Sequence, residues 1–337
     1  MGASRTVTGW VAAVACAAMS VLPASARVAQ GWTLVDLGTL GGPGSYGAAV
    51  SNSGLVVGCS DVDAGVAHAF LYRNGVMHDL GAASDSTPGN SCALAVNNDG
   101  VAAGRSATGE LVTWRDSTIT HLGVHGNIGG INDAGVVVGA YGQGASTHAF
   151  MYANGNITPL GSDASTATGI NAVGEIVGTS NGRAFVYKDG ALLDLGTLGG
   201  NRSEAKGVND HGAVVGLSTD AHSQPRSFLY DHAMQALSAP SYSGAVGINN
   251  HGKIVGSGEG IHGFLIDGET LVRLDTLPPV ASKGWRHLEP TGINDRGWIV
   301  GTGTDPDGNL RAFLLIPGTQ EISMKLTDLR RDSRLRF

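Results

Sequence analysis

Charge, aromatic rings and cysteine are all scarce in this chain of 337 residues. Its 21 lysines and arginines are outnumbered by 28 aspartates and glutamates, for a net charge of −7, and a phosphate backbone is normally held by a basic patch. Nucleic acid is therefore excluded as a partner. Beyond the first 26 residues no apolar stretch is long enough to cross a bilayer. Of the three cysteines, Cys16 lies in that leading segment, and Cys59 and Cys92 lack the Cys-x-x-Cys or Cys/His spacing of a zinc site. An oxidising compartment favours a Cys59–Cys92 disulfide, and two buried free thiols are the alternative. No metal-ligand set and no cofactor motif stands out, so neither a metal nor a cofactor is expected.

The leading segment is rich in what the rest lacks. Arg5 supplies a positive start, Val11 to Leu22 an apolar run, and Ala24-Ser25-Ala26 a small-residue cleavage site. This is the pattern of a secretory signal peptide over residues 1–26, and it implies a protein secreted to the periplasm or the outside. Its removal takes Arg5 away and leaves a net charge of −8. The mature chain is rich in Gly, Ser, Thr and Val, has many short apolar runs and shows no sustained helical period. That composition predicts an all-β protein.

A nine-residue pattern recurs seven times: apolar, Asn, two variable residues, Gly, one variable residue, two mostly β-branched residues, Gly. Its Asn positions are Ser51 (the one exception), Asn97, Asn132, Asn171, Asn209, Asn249 and Asn294, spaced 46, 35, 39, 38, 40 and 45 residues apart. Such periods belong to solenoids and propellers. In the unit starting at Ala167, Ala167 to Ile170 reads as a short strand and Asn171-Ala172-Val173-Gly174 as a tight turn, in which Asn bonds the backbone and Gly takes a positive φ. Glu175 to Gly178 returns, Ala184 to Tyr187 forms a third strand, and Ala191 to Gly196 a fourth. Four antiparallel strands in about 40 residues make one propeller blade.

Each repeat places an apolar pair on one face of the third strand: Phe70/Tyr72, Val112/Trp114, Phe150/Tyr152, Phe185/Tyr187, Phe228/Tyr230, Phe264/Ile266 and Phe313/Leu315. Stacked blades would bury these pairs. Two residues before the Asn stands Ala or Gly, as expected of innermost strands crowding an axis. The prediction is a seven-bladed β-propeller over residues 27–329, expected to be a monomer, followed by a mobile basic tail at 330–337. A β-solenoid is the competing fold, but its parallel strands fit poorly with the hairpin signals. Trp32 to Gly38 matches a fourth strand with no blade before it and would close the ring, with Met324 to Leu329 as competitor.

His68-Ala69-Phe70 and His148-Ala149-Phe150, with Asp36-Leu37-Gly38-Thr39-Leu40-Gly41-Gly42 and Asp194-Leu195-Gly196-Thr197-Leu198-Gly199-Gly200, carry a resemblance to the bacterial HAF repeat family. The resemblance covers nearly all of the mature chain and implies export and a repeat architecture; it supplies no catalytic residues. Departures fall at Leu111-Val112, Arg226-Ser227-Phe228 and His262-Gly263-Phe264, which puts the regularity of those blades in question.

Candidate chemistry is sparse. His68, His148, His211 and His251 occupy fixed repeat positions rather than ligand spacings. The turns at Asp133, Asp210 and Asp295 lack the oxygen pattern of a calcium loop. Gly178-Thr179-Ser180-Asn181-Gly182 matches a nucleophile elbow in letters, yet a β pattern follows it where a helix is required. The connections between second and third strands, and between blades, vary in length, and variable loops on a rigid scaffold are where function concentrates. That face carries Tyr46, Asp61, Asp63, Asp85, Tyr141, Arg202, Glu204, Asp220, Tyr242, Lys283, Trp285, Arg286, Asp305 and Asp307. Its aromatics and polar groups suit sugar rings. The expected ligand contacts are Trp285, Arg286, Tyr242, Tyr141 and Tyr46. The expected function is a non-enzymatic binding or structural module on extracellular polysaccharide or a cell-surface component. The competing reading is an extracellular hydrolase or lyase with its site at the axial mouth.

Overall fold

The computed structural model describes residues 31–318, apart from 64, 84–88, 117, 162–163 and 241. The leader, the basic tail, Met324 to Leu329 and Asp85 lie outside the described residues. Within them the chain is a ring of seven four-stranded antiparallel blades, the all-β propeller that the repeat predicts.

Blade 1 starts with inner strand Ser45–Val50 and runs outward through Val56–Asp63 and Val66–Arg73 to Val76–Asp79. Blades 4, 5 and 6 repeat that order from Ser165–Ile170, Gly199–Val208 and Ser243–Ile248. Blades 2 and 3 depart from it. One continuous strand, Thr118–Ile131, pairs by its first half with the third strand of blade 2 and by its second half with Val137–Tyr141 of blade 3. No loop separates these two blades.

Blade 7 takes its inner three strands from Arg286–Ile293, Ile299–Thr304 and Leu310–Pro317, and its outer strand from the other end of the chain. Trp32–Asp36 pairs antiparallel with Leu310–Pro317, Leu34 opposite Leu315. The N-terminal strand thus closes the ring, as its fourth-strand pattern implies.

The core lies between blades. Phe70, Phe150, Phe228, Phe264 and Phe313 are wholly buried, and Phe185 is 1% exposed. The Ala before Phe70, Phe150, Phe185 and Phe313 points to the opposite side of the strand, by the two-residue period of a strand, and joins the cluster of the next blade. Ala69 packs with Val112, Ala149 with Phe185, Ala184 with Phe228 and Ala312 with Phe70. Deleting one such ring costs about 3–5 kcal/mol. The departures are accommodated in kind: Leu111 fills the Ala place beside Phe150, and Ser227 bonds Ser243 Oγ at 3.0 Å. All three departing blades keep four strands.

The second Gly of the pattern stands opposite a bulge in the inner strand, as between Ala167 and Gly169. A Cβ at Gly178 would collide with the Thr166 carbonyl oxygen and press on the Phe185 ring. Glycine is required there by close approach, because the ring of the third strand lies across it.

Candidate functional site

Two mouths open on the axis. On the face of the tight turns, the repeat asparagines form a staple. Each Oδ1 accepts a backbone N–H of its own turn, Glu175 N–H to Asn171 at 2.8 Å for instance, and each Nδ2 donates to the same turn position in the next blade. The chain of donors runs Asn97 to Asn132 (3.2 Å), Asn132 to Asn171 (3.3 Å), Asn171 to Asn209 (2.9 Å), Asn209 to Asn249 (3.2 Å), Asn249 to Asn294 (2.9 Å) and Asn294 to Ser51 (2.8 Å). Ser51 has no amide, and the ring of donors breaks there.

The next residue of each turn makes a second ring around a cavity of about 240 Å³: Asn52, Asn98, Asp133, Ala172, Asp210, Asn250 and Asp295. Three carboxylates converge here, and the lining holds no His, Lys or Arg. Asp133 accepts from the Asn98 N–H (2.9 Å) and amide (2.7 Å). Asp295 accepts from the Asn250 N–H (2.9 Å) and from the amide of Asn52 (2.6 Å). Asp210 accepts from the Ala172 N–H (2.8 Å) and the amide of Asn250 (2.7 Å). These bonds hold the turns of adjacent blades together. Among the described residues no group of three or more His, Cys, Asp or Glu side chains is placed to share a metal ion.

Behind the turns, Val96, Ile131, Ile170, Val208, Ile248 and Ile293 line both this cavity and a second one of about 270 Å³ on the variable-loop side. Thr168, Lys206 and Thr291 line the second cavity at the bulges of their inner strands. Thr168 Oγ1 donates to Ala205 O and Thr291 Oγ1 to Gly47 O, another inter-blade tie. Lys206 pairs with Glu204 at 3.0 Å. Partial burial, and then the Glu289 carboxylate, push the Tyr46 phenol above its usual range, so it stays a neutral hydrogen-bond donor at physiological pH.

The five expected ligand contacts do not converge on one spot. Tyr46 belongs to blade 1, Tyr141 to blade 3, Tyr242 precedes the inner strand of blade 6, and Trp285 and Arg286 introduce blade 7. Tyr46 and Tyr242 are 46% and 52% exposed. Tyr141 is half-buried, one side of its ring stacked on His148 at 5.3 Å. Arg286 is exposed.

Trp285 requires correction as a ligand contact. Only 6% of it is exposed, and it meets Phe313 edge-on at 6.5 Å in a cluster with Leu34, Leu277, Val280 and Leu288. The connection that leads into blade 7 folds into a 3-10 turn, Leu274–Thr276, and a short helix, Pro278–Ser282, with Leu274, Leu277 and Val280 buried. Lys283 Nζ donates to Leu34 O at 2.8 Å, tying the segment to the closing strand. Other polar residues of this face also have structural duties. Asp61 accepts from Gly44 N–H, Asp220 from His222 and Gln224, and Asp305 from Asn309.

Cys59 and Cys92 are joined in a disulfide between the second strand of blade 1 and the inner strand of blade 2, with Cα atoms 4.7 Å apart. The entry to the third strand and the Asp-Leu-Gly segments acquire mechanical meanings. His68 Nδ1 meets Asp79 at 3.0 Å, Arg183 meets Asp194 at 3.2 Å, and Asp36, Asp79 and Asp194 each accept the N–H of the glycine two residues on. Ser180 ends a strand that turns back through Asn181 and Gly182 into another strand, so it is no elbow nucleophile.

A serine staple escaped the sequence reading. Ser45, Ser91, Ser165 and Ser203 each accept the N–H of the Ala before the core position of the preceding blade (Ala312, Ala69, Ala149, Ala184) and donate to a carbonyl of the intervening connection. The available signal was a Ser six residues before the Asn position of the repeat, at Ser45, Ser91, Ser165 and Ser203.

No family model and no curated protein matches this chain. Among solved structures, it is similar to a puromycin-hydrolyzing peptidase of Mycobacterium tuberculosis (14% identity, TM-score 0.56), over 84% of this chain and 53% of the peptidase. It is also similar to the WD40 β-propeller domain of Doa1 (14% identity, TM-score 0.52), over 86% of this chain and 98% of that domain. The chain spans about half the length of the peptidase. At these identities the likeness shows the propeller fold alone.

Proposed function

We propose that this is an exported HAF-repeat propeller, extracellular or periplasmic, that binds polysaccharide or a cell-surface glycan through its variable-loop face without turning it over. The observation that carries this reading is the pair Tyr46 and Tyr242, each about half exposed at the start of an inner strand. Strand ends hold their side chains in place, so a ring presented there loses little freedom when a sugar stacks on it. A glycan array followed by titration calorimetry tests the reading. The expected result is binding of at least one cell-wall or exopolysaccharide fragment, weakened by about 1 kcal/mol or more in Tyr242→Ala with the melting temperature unchanged. Absence of binding to every fragment at millimolar concentration removes the carbohydrate part.

A hydrolase or lyase at the axial mouth is the second reading, favoured by the convergence of Asp133, Asp210 and Asp295 on one cavity. Against it stands the engagement of all three carboxylates with backbone and amide donors. Incubation with the same fragments separates the two. Product that accumulates with the parent protein and fails to accumulate with Asp295→Asn replaces the binding reading.

A further inference from the structure

Blades 2 and 3 are joined without a loop, and the variable-loop face is recessed at that seam. A cavity of about 530 Å³ lies against His125 and Tyr141, where the shared strand passes from one blade to the other. A second, of about 450 Å³, lies against Asn90 and Arg105 over the Cys59–Cys92 bridge. Gly109 lines both, so they adjoin across a residue that has no side chain. Each falls within the size range of small-ligand sites.

The chemistry of this recess differs from that of the molecule as a whole. The chain carries an excess of acid, yet among the described residues no Asp or Glu lines either cavity. The nearest carboxylate in sequence, Glu110, is turned to His121 Nδ1 (2.8 Å) and to the Gly123 N–H (3.1 Å). Arg105 is exposed and makes no ion pair among the described residues. Asn90 accepts the Ala67 N–H on its Oδ1, and its side-chain amide donates to no described residue. Tyr141 packs against His148 at 5.3 Å and Phe150 at 6.1 Å, and it still lines the cavity.

A guanidinium fork recognises carboxylate, amide donors recognise hydroxyls and carboxylate, and an aromatic ring takes the apolar face of a sugar. A site with these three features and no carboxylate among its described lining residues fits an acidic sugar better than a neutral one. We propose that this recess binds the uronate residues of an acidic polysaccharide, with Arg105 pairing the carboxylate and Tyr141 stacking on the ring. This rests on the glycan-binding reading above and adds to it a separate contact region, at blades 2 and 3, with its ligand class.

Titration calorimetry with hexagalacturonate and hexamannuronate, each beside its methyl ester, is the test, because esterification removes the charge and keeps the chain. The acids are expected to bind at least ten-fold more tightly than the esters, with an affinity that falls as salt is added. Arg105→Gln is expected to lose ten-fold for the acids and to erase the difference from the esters, with the melting temperature unchanged because the side chain is exposed. Arg105→Lys should keep part of the preference. Acids that bind no better than their esters, or that bind undiminished in Arg105→Gln, overturn this site while the broader glycan reading stands on the array. An array without any binder overturns both.

Discussion

The side-chain amide of Asn294 donates to the carbonyl oxygen of Ser51 at 2.8 Å, across 243 residues of sequence. The same side chain accepts the Trp298 N–H at 2.9 Å, so one residue shapes the last turn and fastens it to the first blade. Asn294→Ala leaves a buried donor and acceptor without that partner and is expected to cost about 1–3 kcal/mol. Denaturant unfolding would read this as a lower midpoint at unchanged slope; an unchanged midpoint would mean that the staple contributes nothing.

Ser51 is the place where the ring of donors breaks. Its hydroxyl bonds Ser53 Oγ (2.8 Å) and the Leu55 N–H (3.2 Å) and does not reach the Asn97 carbonyl. Ser51→Asn restores the missing donor while keeping an acceptor for Leu55, and is expected to stabilise by about 0.5–1.5 kcal/mol, less what is lost with the Ser53 contact. A raised melting temperature supports this, and a lowered one would show that the serine pair already satisfies the turn.

Trp285 seals the cluster beneath blade 7. Trp285→Ala is expected to destabilise by about 3–5 kcal/mol while leaving glycan affinity unchanged, since the ring is inside the protein. Weakened binding at an unchanged melting temperature would return Trp285 to the ligand.

The Cys59–Cys92 bridge spans 33 residues, for which loop entropy gives roughly 3 kcal/mol. Protein produced without residues 1–26 under oxidising conditions should show no titratable thiol when denatured without reductant. Cys59→Ser with Cys92→Ser should unfold at a lower temperature. Two thiols per chain would rule the bridge out.

The backbone N–H of Gln224, followed by that of His222 and by the charges of His222 and Arg226, holds the Asp220 carboxyl below its usual value of 3.8. A carboxyl depressed on folding contributes stability at pH values above its unfolded pKa and loses it as pH falls through the folded value. The loop from Asp220 to Gln224 should therefore loosen only below about pH 4, and Asp220→Asn should remove that part of the acid response. Hydrogen exchange of the His222 and Gln224 amides across pH 3 to 6 checks it; identical profiles in parent and variant would contradict it.

The blades were legible in the sequence because each is made of neighbouring hairpins, whose turns and alternation are local. The closing strand was legible because Trp32 to Gly38 repeats a pattern found elsewhere. The role of Trp285 was not, since its burial depends on Phe313 and Leu34, which no local pattern links to it. The same holds at the seam of blades 2 and 3. That Arg105 and Tyr141 line adjoining cavities follows from the fusion of two strands into Thr118–Ile131, and the repeat, which marks only the inner turn, is silent on how blades are joined.

The pairing of Trp32–Asp36 with Leu310–Pro317 also orders events in time. Synthesis delivers the first of these segments well before the second, so the early strand waits, unpaired, while six blades emerge. Contacts this distant in sequence slow folding, and an unpaired strand invites wrong partners. The latch also locks from the far end: once Leu310–Pro317 docks, freeing either end means opening the last blade, and fraying at one end does not spread to the other six.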